Sequence, residues 1–470
     1  MKNILLMMPI RGKNSKNVFY SPDLGLGYLA TALREKMSDA FHISILIDHL
    51  NLSDEDFASY LTKGNFDVIG IKVFSVTVWA ANRTITIIRK SLPRAKVVIG
   101  GPQVTGDPEN VLNYIPADYG IAGEGELGLP KLLSSFTENG VLRNADAIPG
   151  LIWKQDGTVK HNPPAVIEDI DSVGMVAWDL MDPRNFPCQE LSGFTVMDTV
   201  APIITSRGCR YKCTFCQAAN TRWRERSVVK VMEEMALLYN RYDVREFSVL
   251  DNGCGYRDEY IIKFAKALID SNLPVRWTAT GGFRVDLINR EMLDYLKRSH
   301  CYRIGIGIES GSNRILKKIQ KGITTEAVSE KIKLINDAGL DVVGYFMLGI
   351  PGETKEDIRK TLDLAMKLKL QGAVFSIYSP IPGTEIYREL KEKGFLESVD
   401  FNSLDQKYYK NNFTEYTPEE LIRIRIRAYW QFHLRPRILI RNLKVLISPK
   451  RLLFLGKYLY WHLYLGRRSW

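Results

Sequence analysis

Residues 206–216 read Ser-Arg-Gly-Cys-Arg-Tyr-Lys-Cys-Thr-Phe-Cys, so Cys209, Cys213 and Cys216 form the spacing C-x3-C-x2-C. Thiolates hold iron–sulfur clusters, and four thiolates are the usual number. Three thiolates bind three irons of a [4Fe–4S] cube, and no fourth cysteine lies close by in the sequence. One iron is therefore open to a small-molecule ligand, which indicates chemistry rather than electron storage.

Two other interpretations of these cysteines stay open, a zinc site and a chance grouping. Zinc sites usually combine a C-x2-C pair with a second pair or with histidines. The nearest histidines, His161 and His300, are distant in the sequence, and Cys254 and Cys301 do not come as a pair. The spacing therefore favours the open cluster over both alternatives.

The bulk composition is that of a folded protein with two or three domains. The chain has 470 residues, of which 45% are hydrophobic and 25% charged, and these values are ordinary for a globular chain. A thiolate cluster requires a reducing compartment, so we expect a cytoplasmic protein. Residues 1–9 are too short for a signal sequence and predict a buried strand. No apolar stretch reaches the roughly 18–20 residues that a membrane span requires.

Residues 3–135 alternate short apolar runs with helical patterns, which predicts a parallel, doubly wound α/β sheet. We expect strands near 3–8, 43–47, 68–73, 96–99 and 118–122, with helices near 27–35, 54–62, 80–91, 109–114 and 127–135. Ligands of such sheets bind beyond the carboxyl ends of the strands, where glycine lets a ligand approach the backbone. The candidate binding residues at this edge are Leu26, Ser75, Thr77, Gly100, Gly101, Gln103, Thr105, Gly123, Glu124, Gly125 and Glu126.

Residues 201–395 carry a second series of strands and helices. We expect strands near 203–205, 246–250, 276–279, 302–308, 342–348 and 373–378. Six units predict an open, partial (β/α)6 barrel, and catalytic groups of such barrels lie at the carboxyl ends of the strands. The three cysteines follow the first strand directly, which places the cluster at that edge.

The cysteine spacing, with Phe215 just before the last cysteine, resembles the radical S-adenosylmethionine (SAM) superfamily. The resemblance implies that the open iron binds the amino and carboxylate groups of SAM and that Phe215 lies near the adenine. Motifs after the later strands imply that Glu309 and Ser310 bind the ribose or methionine part and that the backbone around Met347–Gly349 holds adenine. The other implied SAM-binding residues are Asp251 and Arg284. Arg284 would neutralise the methionine carboxylate of SAM, because a guanidinium recognises a carboxylate bidentately.

Some of these residues have structural alternatives. Asp251 could instead cap the following helix, and Gly349 with Pro351 and Gly352 could simply break the loop. A buried carboxylate without a partner is costly, so the position of Glu309 at a strand end favours a ligand role. Cys301 is expected to be a small buried residue.

Residues 1–135 resemble the cobalamin-binding domain that precedes many radical SAM cores. The matching residues are Pro-Asp-Leu-Gly-Leu-Gly-Tyr-Leu at 22–29, the Gly-Gly-x-x-x-Thr loop at 100–105 and Gly-Glu-Gly-Glu at 123–126. Cobalamin proteins that ligate cobalt from below use Asp-x-His-x-x-Gly, whereas Asp48-His49 is not followed by the matching glycine. We therefore expect cobalamin without a protein histidine on cobalt. A degenerate domain that no longer binds cobalamin is the alternative.

By this resemblance the chain is similar to the class B, cobalamin-dependent radical SAM methyltransferases. The implied reaction methylates an unactivated carbon of a small-molecule or lipid-like substrate through a 5′-deoxyadenosyl radical and methylcobalamin. The implied cofactors are a [4Fe–4S] cluster, SAM and cobalamin, with an electron donor such as flavodoxin or ferredoxin. A cyclase, ring-contraction or oxidative enzyme without methyl transfer is the alternative. A non-catalytic sensor is disfavoured because the SAM motifs are intact.

Two further regions are a connector at 136–200 and a basic, aromatic, mainly helical region at 396–470. In the connector, 151–159 predict a β-hairpin with a glycine turn. From Thr417 the chain carries twelve Lys or Arg and two Glu, a formal charge of +10 out of +11 for the whole chain.

The basic region begins with a helix signal. Thr417 and Pro418 predict an N-cap and a first helical residue, and Pro436 predicts a break. A basic amphipathic region is typical of a membrane-surface element or of a site for an anionic partner, and a helical cap packed on the barrel is the alternative. We expect a cytoplasmic protein that also makes a peripheral membrane contact. We expect no nucleic acid partner, since no recognised nucleic-acid-binding module is present.

Overall fold

The computed structural model describes residues 2–11, 21–37, 41–47, 52–186, 189–190, 193–253, 257–396, 409–445, 449 and 452. The expectations for His49 and Cys254 lie outside these residues, as do those for most of the chain after residue 445. Two compact units divide the chain. The first contains Met1–Asp182, Phe215–Gln217 and Pro380–Leu404, and the second contains Pro183–Thr214, Ala218–Ser379 and Asp405–Trp470.

The secondary structure alternates strands and helices along most of the chain. The strands are β1 (Lys2–Met7), β2 (Phe41–Leu46), β3 (Val68–Lys72), β4 (Lys96–Gly100), β5 (Tyr119–Ile121), β6 (Leu151–Gln155), β7 (Thr158–His161), β8 (Gln189–Glu190), β9 (Gly193–Phe194), β10 (Val200–Ile203), β11 (Ser206–Cys209), β12 (Thr221–Glu225), β13 (Glu246–Val249), β14 (Arg276–Phe283), β15 (Cys301–Glu309), β16 (Asp341–Leu348) and β17 (Gly372–Ile377). The α-helices are α1 (Leu24–Met37), α2 (Asp54–Gly64), α3 (Val78–Ser91), α4 (Pro102–Gly106), α5 (Val111–Tyr114), α6 (Gly125–Ser134), α7 (Val228–Tyr242), α8 (Asp258–Ser271), α9 (Arg290–Arg298), α10 (Asn313–Lys318), α11 (Thr325–Asp337), α12 (Lys355–Lys367), α13 (Glu385–Glu392), α14 (Pro418–His433) and α15 (Pro436–Val445).

The first unit is built on a seven-stranded sheet in the order β2-β1-β3-β4-β5-β6-β7. The first five strands of the chain run parallel to one another. β6 pairs antiparallel with β5, and β7 pairs antiparallel with β6. Strands covered by helices on both faces need apolar residues on both faces. Accordingly, the adjacent residues Leu5 and Leu6 of β1 and Val97 and Val98 of β4, which point to opposite faces, are all buried. The predicted doubly wound α/β sheet is confirmed.

The predicted hairpin is present in the connector and extends the first sheet. At its turn, Asp156 and Gly157 have φ values of 51° and 77°, and two-residue hairpin turns of the common type need a positive φ at both positions. Trp153 on β6 pairs with Tyr119 on β5. The sheet of the first unit therefore continues past residue 135, into the region that the sequence assigns to the connector.

The second unit is built on six parallel strands in the order β10-β13-β14-β15-β16-β17. Each of the six strands predicted from the sequence is present within a few residues of its predicted bounds, so the partial barrel is confirmed. Phe247, Trp277, Ile304 and Val342 are fully buried in its core. Because the strands are parallel, the loops that follow them lie at one edge of the sheet.

The C-terminal region begins with the predicted helix, α14. The Thr417 hydroxyl accepts a hydrogen bond from the Glu420 amide, and the Glu420 carboxylate accepts one from the Thr417 amide. This reciprocal cap satisfies two amides at the helix start. Leu421 and Ile422 bury the inner face of α14 against Ile377 of β17, and α15 begins at Pro436, where the break is predicted. No helix within the described part of the chain is long and apolar enough to cross a membrane.

Candidate cofactor sites

The cluster loop, residues 206–225, is an antiparallel ribbon of β11 and β12 that the sequence did not predict. Cys209 lies opposite Thr221, and its amide donates to Thr221 Oγ1 at 2.9 Å. Cys209 and Cys213 are each 9% exposed, Cys216 is half-buried, and none of the three forms a disulfide. The ribbon follows β10 after two residues, so the loop begins at the carboxyl edge of the second sheet, as predicted.

Glu309, at the end of β15, forms a largely buried ion pair with Lys321. Lys321 Nζ lies 2.7 Å from Glu309 Oε1, and the two side chains are only 12% and 13% exposed. Burial by itself would lower the pKa of Lys321, but the Glu309 carboxylate and the Cys213 thiol raise it above its ordinary value. Glu309 therefore has a protein partner in this structure, and the cost of an unpaired charge no longer argues for a ligand role.

Two cationic side chains, Lys321 and Arg284, act on the Cys213 thiol. Burial raises the pKa of Cys213, and the charges of Lys321 and Arg284 oppose that shift. The thiolate is the form that binds a metal. The two cations therefore favour the state of Cys213 that a cluster requires.

Arg284, which follows β14, is fixed beside the cluster loop by three contacts. Its Nε donates to Asp286 Oδ1 at 2.8 Å, and its Nη1 donates to the Lys321 carbonyl at 2.6 Å. Its guanidinium carbon lies 3.6 Å from the centre of the Tyr211 ring, at cation–π distance. The guanidinium is thus held in one orientation before any ligand is present.

Two features of the cluster loop bear on whether it fits an iron–sulfur cluster: the arrangement of its thiols and the surroundings of Thr214. Among the described residues, no three Cys, His, Asp or Glu side chains converge as ligands of one metal ion, and each thiolate of a cube binds a different iron. Thr214 lies between two of the cysteines, and its Oγ1 is buried with no hydrogen-bond partner. Buried hydroxyls almost always have a partner, so this loop fits a bound group that accepts a hydrogen bond.

The loop after β16 turns at Gly349, whose φ of 86° is a conformation that favours glycine. The Gly349 and Ile350 amides donate to Glu353 Oε2 at 2.7 and 2.9 Å. Burial raises the pKa of Glu353 to about 8, and its Oε1 is buried without a partner. Met347, predicted to lie near adenine, is 9% exposed at the end of β16. The turn therefore ends β16, and the Gly349 and Ile350 amides are engaged by Glu353 within the turn.

Asp251 is fully engaged by the protein. Its carboxylate accepts hydrogen bonds from the Thr205 amide at 2.7 Å and from the hydroxyls of Thr205 and Ser206. Burial raises the pKa of Asp251. Asp251 does not cap the following helix, α8, whose N-cap residue is Arg257. In this structure Asp251 joins the end of β13 to the segment after β10.

Ser310 and Phe215 differ in how freely a ligand could reach them. Ser310 is fully buried, with its Oγ 3.2 Å from Thr361 Oγ1 and accepting a hydrogen bond from the Ser312 amide. Phe215 is half-buried in the cluster loop. The Ser310 hydroxyl therefore joins the end of β15 to α12, while Phe215 keeps part of its ring accessible.

The first sheet brings the segments that carry the predicted residues to one edge, because β1, β3, β4 and β5 are consecutive parallel neighbours. Leu26 lies in the first turn of α1 rather than in a loop. The predicted residues differ in burial. Leu26, Ser75, Thr77, Gln103 and Glu126 are buried, Gly100, Gly101, Glu124 and Gly125 are half-buried, and Thr105 and Gly123 are exposed. The grouping of these loops is as predicted.

Several of these side chains have protein partners. The Thr77 hydroxyl bonds within its own turn to Phe74, and the Thr105 hydroxyl accepts from the Gly123 amide at 2.9 Å. Glu124 Oε2 accepts from the Ile167 amide at 2.7 Å. These side chains therefore stabilise the loops through hydrogen bonds to the backbone of the protein.

Other atoms at the same edge fit a polar ligand. Ser75 Oγ and Gln103 Oε1 are buried without a hydrogen-bond partner, and such atoms are rare in folded proteins. Gly101 has a φ of 98°, and a Cβ there would lie 3.0 Å from the Val73 carbonyl oxygen. This edge therefore fits a large polar group such as cobalamin, whose amide side chains would supply the missing partners.

Sequence reasoning missed four residues of these sites: Lys321, Glu353, Gln217 and Asn411. Glu353 belongs to the Gly-Ile-Pro-Gly-Glu-Thr motif, so its place in that motif was an available signal. Within the first unit, Gln217 Nε2 donates to the carbonyls of two prolines, Pro102 and Pro382. Asn411 likewise bonds to backbone carbonyls far away in the sequence, and such contacts leave no sequence pattern.

Comparison with known proteins identifies the two domains that carry these residues. The radical SAM superfamily model matches residues 203–365, and the B12 binding domain model matches residues 14–133. The chain is 30% identical over 449 residues to "Uncharacterized methyltransferase PH0819" from Pyrococcus horikoshii, a match that covers 94% of each chain. The chain therefore belongs to the family of B12-binding radical SAM enzymes, and its cofactors are a [4Fe–4S] cluster, SAM and cobalamin.

A second relative has a different reaction in its name. The chain is 25% identical over 389 residues to the anaerobic magnesium-protoporphyrin IX monomethyl ester cyclase of Cereibacter sphaeroides, covering 81% of this chain and 62% of the cyclase. Among solved structures, the radical SAM methyltransferase TsrM from Kitasatospora setae superposes with a TM-score of 0.68 at 18% identity, over 93% of this chain and 90% of TsrM. At that identity the likeness to TsrM shows the fold alone.

Proposed function

We propose that this radical SAM enzyme transfers a methyl group to an unactivated carbon of a small-molecule or lipid-like substrate, with cobalamin as the source of the methyl group. The observation that carries the proposal is the 30% identity, over 94% of both chains, to a relative described as a methyltransferase. That match spans the B12-binding and the radical SAM parts together. It therefore goes beyond the features that every radical SAM enzyme shares.

The bound cofactors supply a carbon radical that removes hydrogen from an unreactive carbon, together with a methyl group to replace it. The residues of the chain bind and orient these groups. We propose Cys209, Cys213 and Cys216 as the iron ligands, with Lys321 and Arg284 favouring the thiolate form of Cys213. Each of these two cations is paired with a carboxylate of the protein. We propose that Arg284 faces the carboxylate of SAM, because a guanidinium recognises a carboxylate bidentately.

The remaining predicted residues divide into ligand contacts and supports. For SAM we propose contacts from Phe215, Glu309, Met347 and Gly349, with Asp251 and Ser310 holding the loops in place. For cobalamin we propose the four loops of the first sheet. The orphaned Ser75 and Gln103 atoms are the strongest candidates for direct hydrogen bonds there, because both are buried and lack a protein partner.

A cyclase or oxidative enzyme without methyl transfer is the second candidate function. The similarity to the magnesium-protoporphyrin cyclase favours it. That similarity is lower in identity and covers a smaller share of the relative than the match to the methyltransferase. Methyl transfer is therefore the better supported of the two reactions.

The test is a product assay on anaerobically reconstituted enzyme, supplied with an extract of small molecules and lipids and with reduced flavodoxin or ferredoxin. Mass spectrometry would follow 5′-deoxyadenosine and S-adenosylhomocysteine. We expect both products, with S-adenosylhomocysteine dependent on cobalamin. Cys216→Ala should abolish both, while Cys301→Ala, at a buried position in β15, should retain both. Formation of 5′-deoxyadenosine alone would favour the cyclase type of reaction.

We also propose that the C-terminal helices contact an anionic membrane surface. Trp430 on α14, Leu434 just after it, and Leu439 and Ile440 on α15 are 42–57% exposed, although large apolar side chains are usually buried. Arg427 and Arg437 are exposed on the same two helices. Nearly all of the net charge of the chain lies in this region. Apolar residues interspersed with basic ones fit the boundary between acyl chains and acidic headgroups.

Vesicle sedimentation tests this contact. The enzyme should bind phosphatidylglycerol-containing vesicles, bind pure phosphatidylcholine much less, and lose binding at high salt, because screening weakens surface electrostatics. Leu439→Glu with Ile440→Glu should remove binding, whereas Val229→Glu, at an exposed site on α7, should not. Equal sedimentation of wild type and the double variant would contradict a membrane role for this surface.

A further inference from the structure

The segment 409–417, which leads into α14, lies against the loops that follow β16 and β17. The Gly352 amide donates to the Phe413 carbonyl at 3.1 Å, and the Lys355 amide donates to Glu415 Oε2 at 2.8 Å. The Phe413 ring packs edge-on against Tyr378, with 6.1 Å between centroids. The C-terminal region is therefore attached to the carboxyl edge of the second sheet at several points.

Asn411 is the centre of this attachment. It is fully buried, and its Nδ2 donates to the carbonyls of Gly349 at 2.8 Å and Tyr378 at 2.9 Å. Its Oδ1 accepts a hydrogen bond from the Phe413 amide at 2.9 Å. Each polar atom of the amide is thus used, and only an amide offers two donors and an acceptor in this arrangement.

The contacts of Asn411 complete those of Glu353 on the same turn. Glu353 accepts from the Gly349 amide, and Asn411 donates to the Gly349 carbonyl. Both backbone groups of Gly349 are therefore held by buried side chains, one 4 residues and the other 62 residues later in the chain. A Cβ at Gly349 would lie 2.7 Å from Asn411 Nδ2 and 2.7 Å from Leu421 Cδ2, so the segment closes tightly over the turn.

We infer that Asn411 is a positioning residue for SAM. It presets the Gly349 turn in the conformation that receives the cofactor, so the basic C-terminal region is part of the SAM site rather than an appendage. This inference rests on the proposed placement of adenine at Met347–Gly349. A turn that is ordered beforehand loses less conformational freedom when its ligand binds, which raises affinity without any direct contact.

The chain contains a control with similar hydrogen bonds in Asn336, which is half-buried at the end of α11. Its Nδ2 also bridges two backbone carbonyls, those of Ile332 at 2.7 Å and Lys369 at 3.0 Å, and its Oδ1 accepts from Gln371. Lys369 and Gln371 precede β17, so this amide lies at the opposite edge of the sheet. Asn336→Asp and Asn411→Asp make the same chemical change, a carboxylate facing two carbonyls, at the two ends of one strand.

The experiment compares the two variants with wild type as cluster-reconstituted enzymes of equal iron content. Equilibrium dialysis of labelled SAM measures affinity, and amide hydrogen exchange measures the order of residues 348–354. For Asn411→Asp we expect the dissociation constant of SAM to rise at least about tenfold and exchange in this peptide to accelerate. For Asn336→Asp we expect the affinity for SAM to stay within about twofold of wild type.

Three outcomes would overturn the inference. The first is unchanged SAM affinity in Asn411→Asp with faster exchange, which would make Asn411 purely structural. The second is equal losses of affinity in both variants, which would indicate general destabilisation. The third is wild-type exchange in Asn411→Asp, which would show that the turn does not depend on this amide. Because affinity is measured without turnover, failure of methyl transfer would leave the inference standing and would count only against the proposed reaction.

Discussion

At the scale of single residues, the second unit surrounds a thiol expected to bind iron with paired charges. Lys321 joins Glu309 at 2.7 Å, and its carbonyl accepts a hydrogen bond from Arg284. Burial raises the pKa of Cys213, and the charges of Lys321 and Arg284 lower it. A buried charge pair contributes to stability only while both partners are present, because removing one leaves the other uncompensated.

Lys321→Met should therefore destabilise the protein by roughly 2–3 kcal/mol, since it leaves the Glu309 carboxylate buried and unpaired. Lys230→Met is the matched control, because Lys230 pairs with Glu233 at 2.8 Å on the exposed face of α7 and exposed pairs contribute at most about 0.5 kcal/mol. Urea unfolding of the two variants measures both values. Similar losses for the two would contradict the importance of the buried pair.

Some residues around the cluster loop were identified from the sequence, whereas the contacts of others were not. The three cysteines were identified from their spacing, because metal ligands close together in the sequence have a recognisable pattern. The partner of Glu309 was not identified, since Lys321 lies twelve residues away and no local pattern marks a buried ion pair. Asp251 was linked to a ligand or a helix cap, whereas the structure gives it three hydrogen bonds from the segment after β10.

At the scale of elements, the period of apolar residues predicted the parallel strands well, because buried parallel strands are continuous apolar runs. The β11–β12 ribbon was not predicted. Its strands are short, and Arg207, Arg222 and Arg224 give it no apolar pattern. The turn after β16 was predicted from Gly349, but the buried Glu353 carboxyl that holds the turn gives this element a pH dependence that the sequence does not show.

The pKa of Glu353 is raised from 4.5 to about 8 by burial. A carboxyl whose pKa is higher in the folded state takes up a proton on folding, so its contribution to the free energy of unfolding falls as pH rises through this interval. Glu353→Gln keeps an acceptor for the Gly349 and Ile350 amides and cannot ionise. Relative to wild type, it should therefore gain stability as the pH rises from about 5 to about 8, by about 4 kcal/mol at about 1.4 kcal/mol per pH unit.

Urea unfolding of wild type and Glu353→Gln across this pH range measures the difference. Glu356→Gln, on the exposed side of α12, is the control and should show no comparable gain. A stability difference between wild type and Glu353→Gln that stays constant with pH would mean that Glu353 is ionised in the folded protein. The turn would then be held by a carboxylate rather than by a protonated acid.

At the scale of the whole molecule, the two sheets were predictable as a class, and each presents its predicted loops at the carboxyl edge. The contribution of the C-terminal region was not predictable. Its charge and aromatic content indicated a surface element, yet Asn411, just before α14, holds the turn at Gly349 through a buried amide. The composition of a segment indicates which kinds of residue it exposes. It does not indicate that a single buried side chain forms hydrogen bonds to distant backbone carbonyls.

The most direct test of the central claim uses SAM with a trideuterated methyl group and the reconstituted enzyme, with a substrate extract and with or without cobalamin. Mass spectrometry would follow the label into the products. Methyl transfer predicts a product that carries all three deuterium atoms, appears only with cobalamin and is absent with Cys216→Ala. A product that forms in a SAM-dependent manner and carries no deuterium would contradict methyl transfer and would assign this enzyme to the cyclase type of chemistry.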